Sequence, residues 1–277
     1  MNFKFVIFFF AMTISAFAQV WTGSISSDVS NKNNWIGNAP KKSSWPTFEN
    51  SLNTTVYFDW PSATNKIAGI NFNSNASSYT FNGSNATRLR VRDITNHSNN
   101  QQIFNINLDF KNNSTIDTDG NLLLNGNIIV GGGNNLNFDG NGSISFGQNI
   151  VLADDINLRV MNGLSIDLGG NSLSISSLEI TDDTLIDFSN GASLSLETLV
   201  INCSAQLLIA NWNEQSSFMV NSIAGNVLDR IYFVGYGKAK WDDTSFHVTP
   251  IPESKRFGAG FVLMALIVIF FAKRFKK

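Results

Sequence analysis

The chain has 277 residues, 43% of them hydrophobic and 14% charged, with 19 Lys and Arg against 21 Asp and Glu. Seven of the cations lie in the two terminal segments, so residues 19–252 hold 20 acidic and 12 basic side chains, a net charge near −8. That balance argues against nucleic acid as a partner, since phosphate binding needs a basic stripe. Cys203 is the single cysteine, which excludes an intramolecular disulfide and leaves stability to burial and backbone pairing.

The N-terminus, Met1 to Gln19, carries one charge at Lys4, a Phe-rich apolar stretch from Phe5 to Ile14, and small residues at Ala16 and Ala18. Charge, apolar core and small-residue site in that order form a secretory signal, with cleavage expected after Ala18. The core is shorter than the roughly 18 to 20 apolar residues a span requires. Residues 1–18 are therefore read as a signal peptide.

Residues 19–83 read as an N-terminal β cap. They contain Trp21-Thr22-Gly23, Asn33-Asn34-Trp35, Trp45-Pro46 and Trp60, then Ile70-Asn71-Phe72 and Tyr79-Thr80-Phe81. The tryptophans supply large apolar area where a small cap needs it. The competing use is a sugar-stacking platform, whose sign would be Trp21 and Trp35 exposed on one flat face.

Residues 84–206 alternate apolar and polar side chains in short bursts, such as Phe104, Ile106, Leu108 and Phe110, or Leu164, Ile166 and Leu168. Period two marks half-buried strands. Turn dipeptides separate the bursts: Asn125-Gly126, Asn141-Gly142, Asn162-Gly163 and Asn190-Gly191, residues that accept positive φ at low cost. No segment of the body shows an apolar stripe of helical period, so the fold class is all-β. Many corners and short strands favour a right-handed parallel β-helix or β-solenoid over the alternative, a β-sandwich. Cys203, following Leu199-Val200-Ile201-Asn202, reads as a small hydrophobe inside a strand. Residues 207–249 have longer apolar runs and read as a C-terminal closing β region. There Asp229 and Arg230 precede Ile231-Tyr232-Phe233 and, as strand neighbours, would face opposite sides.

Residues 250–277 form a tail of three parts: Pro252-Glu253-Ser254, an apolar run 257–272, and a basic stop of Lys273, Arg274, Lys276 and Lys277. Sixteen residues rise about 24 Å as a helix at about 1.5 Å per residue, against a hydrocarbon core about 30 Å thick. Snorkelling of the flanking Lys and Arg completes a transmembrane helix over 257–272, with the terminal cations cytoplasmic and the body outside.

This layout resembles the PEP-CTERM sorting signal of exported bacterial proteins, with Ser254 where the typical motif has a second proline. The resemblance implies an exosortase-type transpeptidase as a partner and a membrane held through the C-terminal helix. It further implies release to, or attachment at, the cell surface beside exopolysaccharide. The opening Trp-rich segment and the rungs around Ile94-Thr95-Asn96 and Phe104-Asn105-Ile106-Asn107-Leu108 look like secreted passengers with autotransporter-associated β-strand repeats.

Chemistry-bearing constellations are sparse. The histidines are His97 and His247, and neither has a metal-ligand spacing; no serine stands in a nucleophile-elbow context. No metal or cofactor motif is present. Acidic pairs occur at Asp117/Asp119, Asp154/Asp155 and Asp182/Asp183; on a β-helix such pairs bind Ca²⁺ or work as acid and base on a polysaccharide, but beside Asn, Gly and Thr they read as solvated turn residues. The expectation is a non-catalytic exported surface or extracellular-matrix protein with no catalytic residues. The alternatives are a polysaccharide lyase or glycoside hydrolase on a β-helix, or a carbohydrate-binding module.

Overall fold

The computed structural model of the chain describes residues 19–58, 66–84, 88–153, 155–223 and 226–251. The expected signal peptide with Ala16 and Ala18, the sorting motif Pro252-Glu253-Ser254, the transmembrane helix 257–272, the basic stop from Lys273 to Lys277, Trp60 and Asp154 lie outside the described residues. Among the described residues, no helix is long and apolar enough to cross a membrane.

Period-two alternation gives each short strand one apolar face, and the chain buries those faces by winding. Ile94 pairs in parallel with Ile116, Ile116 with Phe138, and Phe138 with Val160, an advance of 22 residues per coil. About eight such coils make a β-solenoid. Parallel pairing between successive coils distinguishes this from the antiparallel sheets of a sandwich.

Each coil has three faces. The first is built from Thr47–Phe48, Gly69–Phe72, Asp93–Asn96, Ser114–Thr118, Asn135–Asp139 and Asn157–Val160. The second runs from Thr55–Phe58 through Thr80–Gly83, Gln102–Phe104 and Asn121–Leu124 to Thr184–Asp187, Leu207–Ala210 and Ile231–Phe233. The third stacks Arg88–Arg90, Asn107–Phe110 and Ile128–Val130. In the last coils the third and first faces merge into single long strands, Ser172–Ile180, Ser193–Ile201 and Ser217–Ile223, stacked in parallel. The alternation in Ser172–Ile180 changes phase between Ser176 and Ser177, where two polar residues in succession shift the inward set from Leu173 and Ile175 to Leu178 and Ile180.

Inward side chains form one continuous core from Trp21 to Val248. Its N-terminal third is aromatic: Phe48 touches Phe72, Tyr79 and Phe81, and Phe81 stacks on Phe104 at 4.8 Å. Trp21 and Trp35 close that end. Their strands, Val20–Trp21 and Trp35–Ile36, pair antiparallel, and Val20–Trp21 also pairs in parallel with Thr47–Phe48. The opposite end is closed by Gly237–Asp242 folding back antiparallel on Ile231–Phe233 and pairing with His247–Pro250. The parallel ladders thus run from Val20 to Phe233, through both the segment 19–83 and the segment 207–249.

Two local expectations are corrected. Asp229 and Arg230 lie in a 3-10 turn, Leu228–Arg230, and the strand begins at Ile231; the Asp229 carboxylate faces Lys238 at 3.5 Å, while Arg230 donates to the Ile201 carbonyl at 2.9 Å. Cys203 is exposed in the turn after Ser193–Ile201, because the inward register ends at Ile201 and resumes at Ala205.

Candidate functional site

The outward side of the first face carries the densest group of titratable side chains that the sequence singles out. Ile70, Ile94, Ile116 and Phe138 point inward in successive coils, so the residue after each points out. Asn71, Thr95, Asp117 and Asp139 therefore stand in one column. At the corner beside it, His97 Nδ1 lies 3.0 Å from Asp119 Oδ2, and both side chains are about half exposed. Partial burial pushes the Asp117 carboxyl above the usual carboxylate range, and the negative charges of Asp139 and Asp119 push it further, opposed by His97. Asp139 itself accepts from the Asn162 side chain at 2.6 Å and from the Gly140 backbone N–H at 2.7 Å.

Of the acidic pairs singled out in the sequence, the other whose members both lie within the described residues, Asp182/Asp183, is split by the winding. Asp182 Oδ2 accepts from the Asn162 backbone N–H, one coil back, at 3.1 Å, and from the Thr181 hydroxyl at 3.0 Å. Asp183 Oδ1 accepts from the Gln206 backbone N–H, one coil forward, at 3.0 Å. Adjacent carboxylates facing opposite coils are inter-coil staples, satisfying turn amides that would otherwise lack partners. Asp155 is exposed and faces Gly132 of the neighbouring coil. Among the described residues, no group of three or more His, Cys, Asp or Glu is arranged to hold a metal ion.

The tryptophans are core. Trp21 and Trp35 are 1% and 6% exposed, and their indole N–H groups donate to the carbonyls of Asn53 and Val29, each at 2.9 Å. The flat platform expected of a carbohydrate-binding module is not made by these two rings. Trp45 is 41% exposed and lies under the Arg92 guanidinium, 5.5 Å from the ring centroid. A shallow cleft of about 590 Å³ opens at the N-terminal end between Val20–Ser24, Ile36 and Glu49–Asn53, with Glu49 as its one titratable lining residue; it contains none of the acidic pairs.

Buried polar groups serve the corners. Asn96 donates to the Thr118 hydroxyl at 3.0 Å and accepts from the Ser98 N–H, Thr118 donates to the Gly120 carbonyl, and Ser98 donates to the Ala76 carbonyl. An asparagine ladder runs up another corner, Asn125 donating to Asn105 at 2.7 Å and Asn105 to Asn82 at 2.9 Å. Side-chain amides that bond to the same group one coil away hold the stack in register without exposing backbone.

One group escapes a reading of the sequence alone: a set of cations on the third face around the buried carboxylate Asp109. The signal is present, since the cations crowd into residues 19–111, but a whole-chain charge balance averages it away.

No family model matches the chain, and no curated protein or solved structure matches it.

Proposed function

We propose that this is a non-catalytic exported protein of the cell surface or extracellular matrix, sorted through its PEP-CTERM-like tail and associated with exopolysaccharide or the envelope. The observation that carries the reading is the use made of the acidic residues. Asp182 and Asp183 are engaged with turn amides of two different coils, and Asp119 with His97, so these carboxylates serve the stacking of the solenoid. A long polar-faced rod whose ends are capped by antiparallel segments suits a matrix component, because the caps cover strand edges along which such rods would join.

The tail supplies the route: an exosortase-type transpeptidase acts at Pro252-Glu253-Ser254 while the helix 257–272 and the basic stop hold the chain in the membrane. Deletion of 250–277 tests it by fractionation. The full chain is expected in the envelope or matrix fraction and the truncated chain free in the medium; equal distribution of the two contradicts the reading.

A second reading, a polysaccharide-active enzyme, is favoured by one arrangement, Asp117 facing Asp139 with Asp119 and His97 beside them. Chain scission or unsaturated ends from acidic or neutral polysaccharides, abolished by Asp117→Asn, would establish that reading and displace the first.

A further inference from the structure

Because coils stack in sequence order, position along the chain becomes position along the rod. Residues 19–111 hold eight Lys and Arg against five Asp and Glu, whereas residues 112–251 hold four against fifteen. The mature rod is thus electrically polar: a cationic N-terminal part joined to a strongly anionic remainder.

The cations are not scattered. On the third face, Leu89 and Leu108 point inward, so Arg88 and Arg90 point out. Lys66 of the preceding coil bridges to Arg90 and Asp109 follows it in the next, making one outward column. Coils lie about 4.8 Å apart. Asp109 is 3% exposed and takes both Nε and an Nη of Arg90 on Oδ2, at 3.1 and 3.0 Å. Lys111 Nζ lies 3.0 Å from Oδ1, off the hydrogen-bonding direction, as a charge contact. One covered carboxylate therefore fixes two cations whose side chains remain 36% and 44% exposed. At the corner with the first face, Arg92 pairs with Asp93 at 2.7 Å and lies over the exposed ring of Trp45. Five cations meet two acids here, one of the cations seated on an aromatic ring.

We propose that this strip, Lys66, Arg88, Arg90, Arg92 and Lys111 with Trp45 at its margin, binds a carboxylate-bearing polysaccharide. The inference rests on the matrix-associated reading and names its ligand class. A polyuronate repeats its negative charge along a line, as the strip repeats its positive charge from coil to coil, and cations already held by Asp109 lose little freedom on binding. Trp45, its ring under the Arg92 guanidinium, holds that cation at the margin of the strip by a cation–π contact. The anionic remainder of the rod repels the same polymer, which confines binding to the N-terminal part and orients the rod on it.

The test uses the full chain and polygalacturonate at low salt, with dextran as the uncharged polymer and duplex DNA and anionic phospholipid vesicles as polyanions of other classes. Polygalacturonate is expected to bind, to weaken steeply as salt rises, and to exceed dextran, DNA and vesicles. Lys66→Gln/Arg88→Gln, which leaves the Asp109 contacts intact, is expected to weaken binding at least about tenfold, a change of about 1.4 kcal/mol, and adding Arg92→Gln to weaken it further. Lys238→Gln/Lys240→Gln, an equal charge change at the other end, is expected to leave it unaltered. Equal binding by wild type and the Lys66/Arg88 variant, equal binding of dextran, or tighter binding of DNA or vesicles would overturn the proposal. Failure of the matrix-associated reading is a separate result, seen when the native chain fractionates into the medium whatever its affinity for polygalacturonate.

Discussion

Asp117 stands directly opposite Asp139 of the next coil, two carboxylates at one register position of the outward column. Partial burial, then the charges of Asp139 and Asp119, raise the Asp117 pKa above its ordinary value. The folded state therefore holds this proton more tightly than the unfolded chain. Its contribution is fully present below the unfolded carboxylate range, near about pH 4, and is lost as pH rises through the folded value. Asp117→Asn is expected to raise the denaturation midpoint at pH 7, with the difference from wild type shrinking toward pH 4. A lower midpoint for the variant at pH 7 would contradict this.

Tyr79 is fully buried and donates to the Glu49 carbonyl at 2.6 Å. Burial holds its phenol up at about 12, against an ordinary value of 10.0. Stability from this group is complete below about pH 10 and lost as pH rises through about 12. Tyr79→Phe should cost about 1 kcal/mol at neutral pH and remove this component of the alkaline transition, read by denaturant melts from pH 8 upward.

Glycines at the corners separate packing from conformation. A Cβ at Gly142 would run into the Gly120 carbonyl, and one at Gly120 into the Ser98 carbonyl, so at this corner two successive coils each need a glycine. Gly235 has φ of +88° but nothing near its Cβ position. Gly142→Ala is expected to cost about 1–3 kcal/mol through overpacking, and Gly235→Ala about 1–2 kcal/mol through left-handed backbone strain alone. Equilibrium melts of both variants check the order.

Trp21 packs edge-on against Trp35 with centroids 5.0 Å apart, and Trp35 against Phe48 at 5.8 Å. Trp21→Ala should cost about 3–5 kcal/mol and expose the coil end at Thr47–Phe48. Hydrogen exchange is expected to quicken first there and only later at Ile186 and Ile209, because each coil rests on its neighbours. Uniform loss of protection along the rod would contradict that picture.

The strands are legible in the sequence because winding preserves period two: Phe104, Leu164 and Ile166 are inward as their alternation requires. Two Asn-Gly corners are legible for a related physical reason, since Asn162, Gly163, Asn190 and Gly191 all adopt the positive φ those residue types tolerate. The merged strands are not, because Ser176-Ser177 reads as a break although the backbone stays extended through it. The exposure of Cys203 is hidden as well, since an apolar run does not announce where inward register stops. The separation of Asp182 from Asp183 and the gathering of cations about Asp109 depend on which coil lies above which, information that alternation alone does not carry.

The central claim, export followed by sorting through the tail, is tested most directly by mass spectrometry of the C-terminus of the protein recovered from the cell surface. The account predicts a chain ending at the Pro252-Glu253-Ser254 segment, without the apolar run and its basic stop. A surface form that retains Lys277 would contradict it.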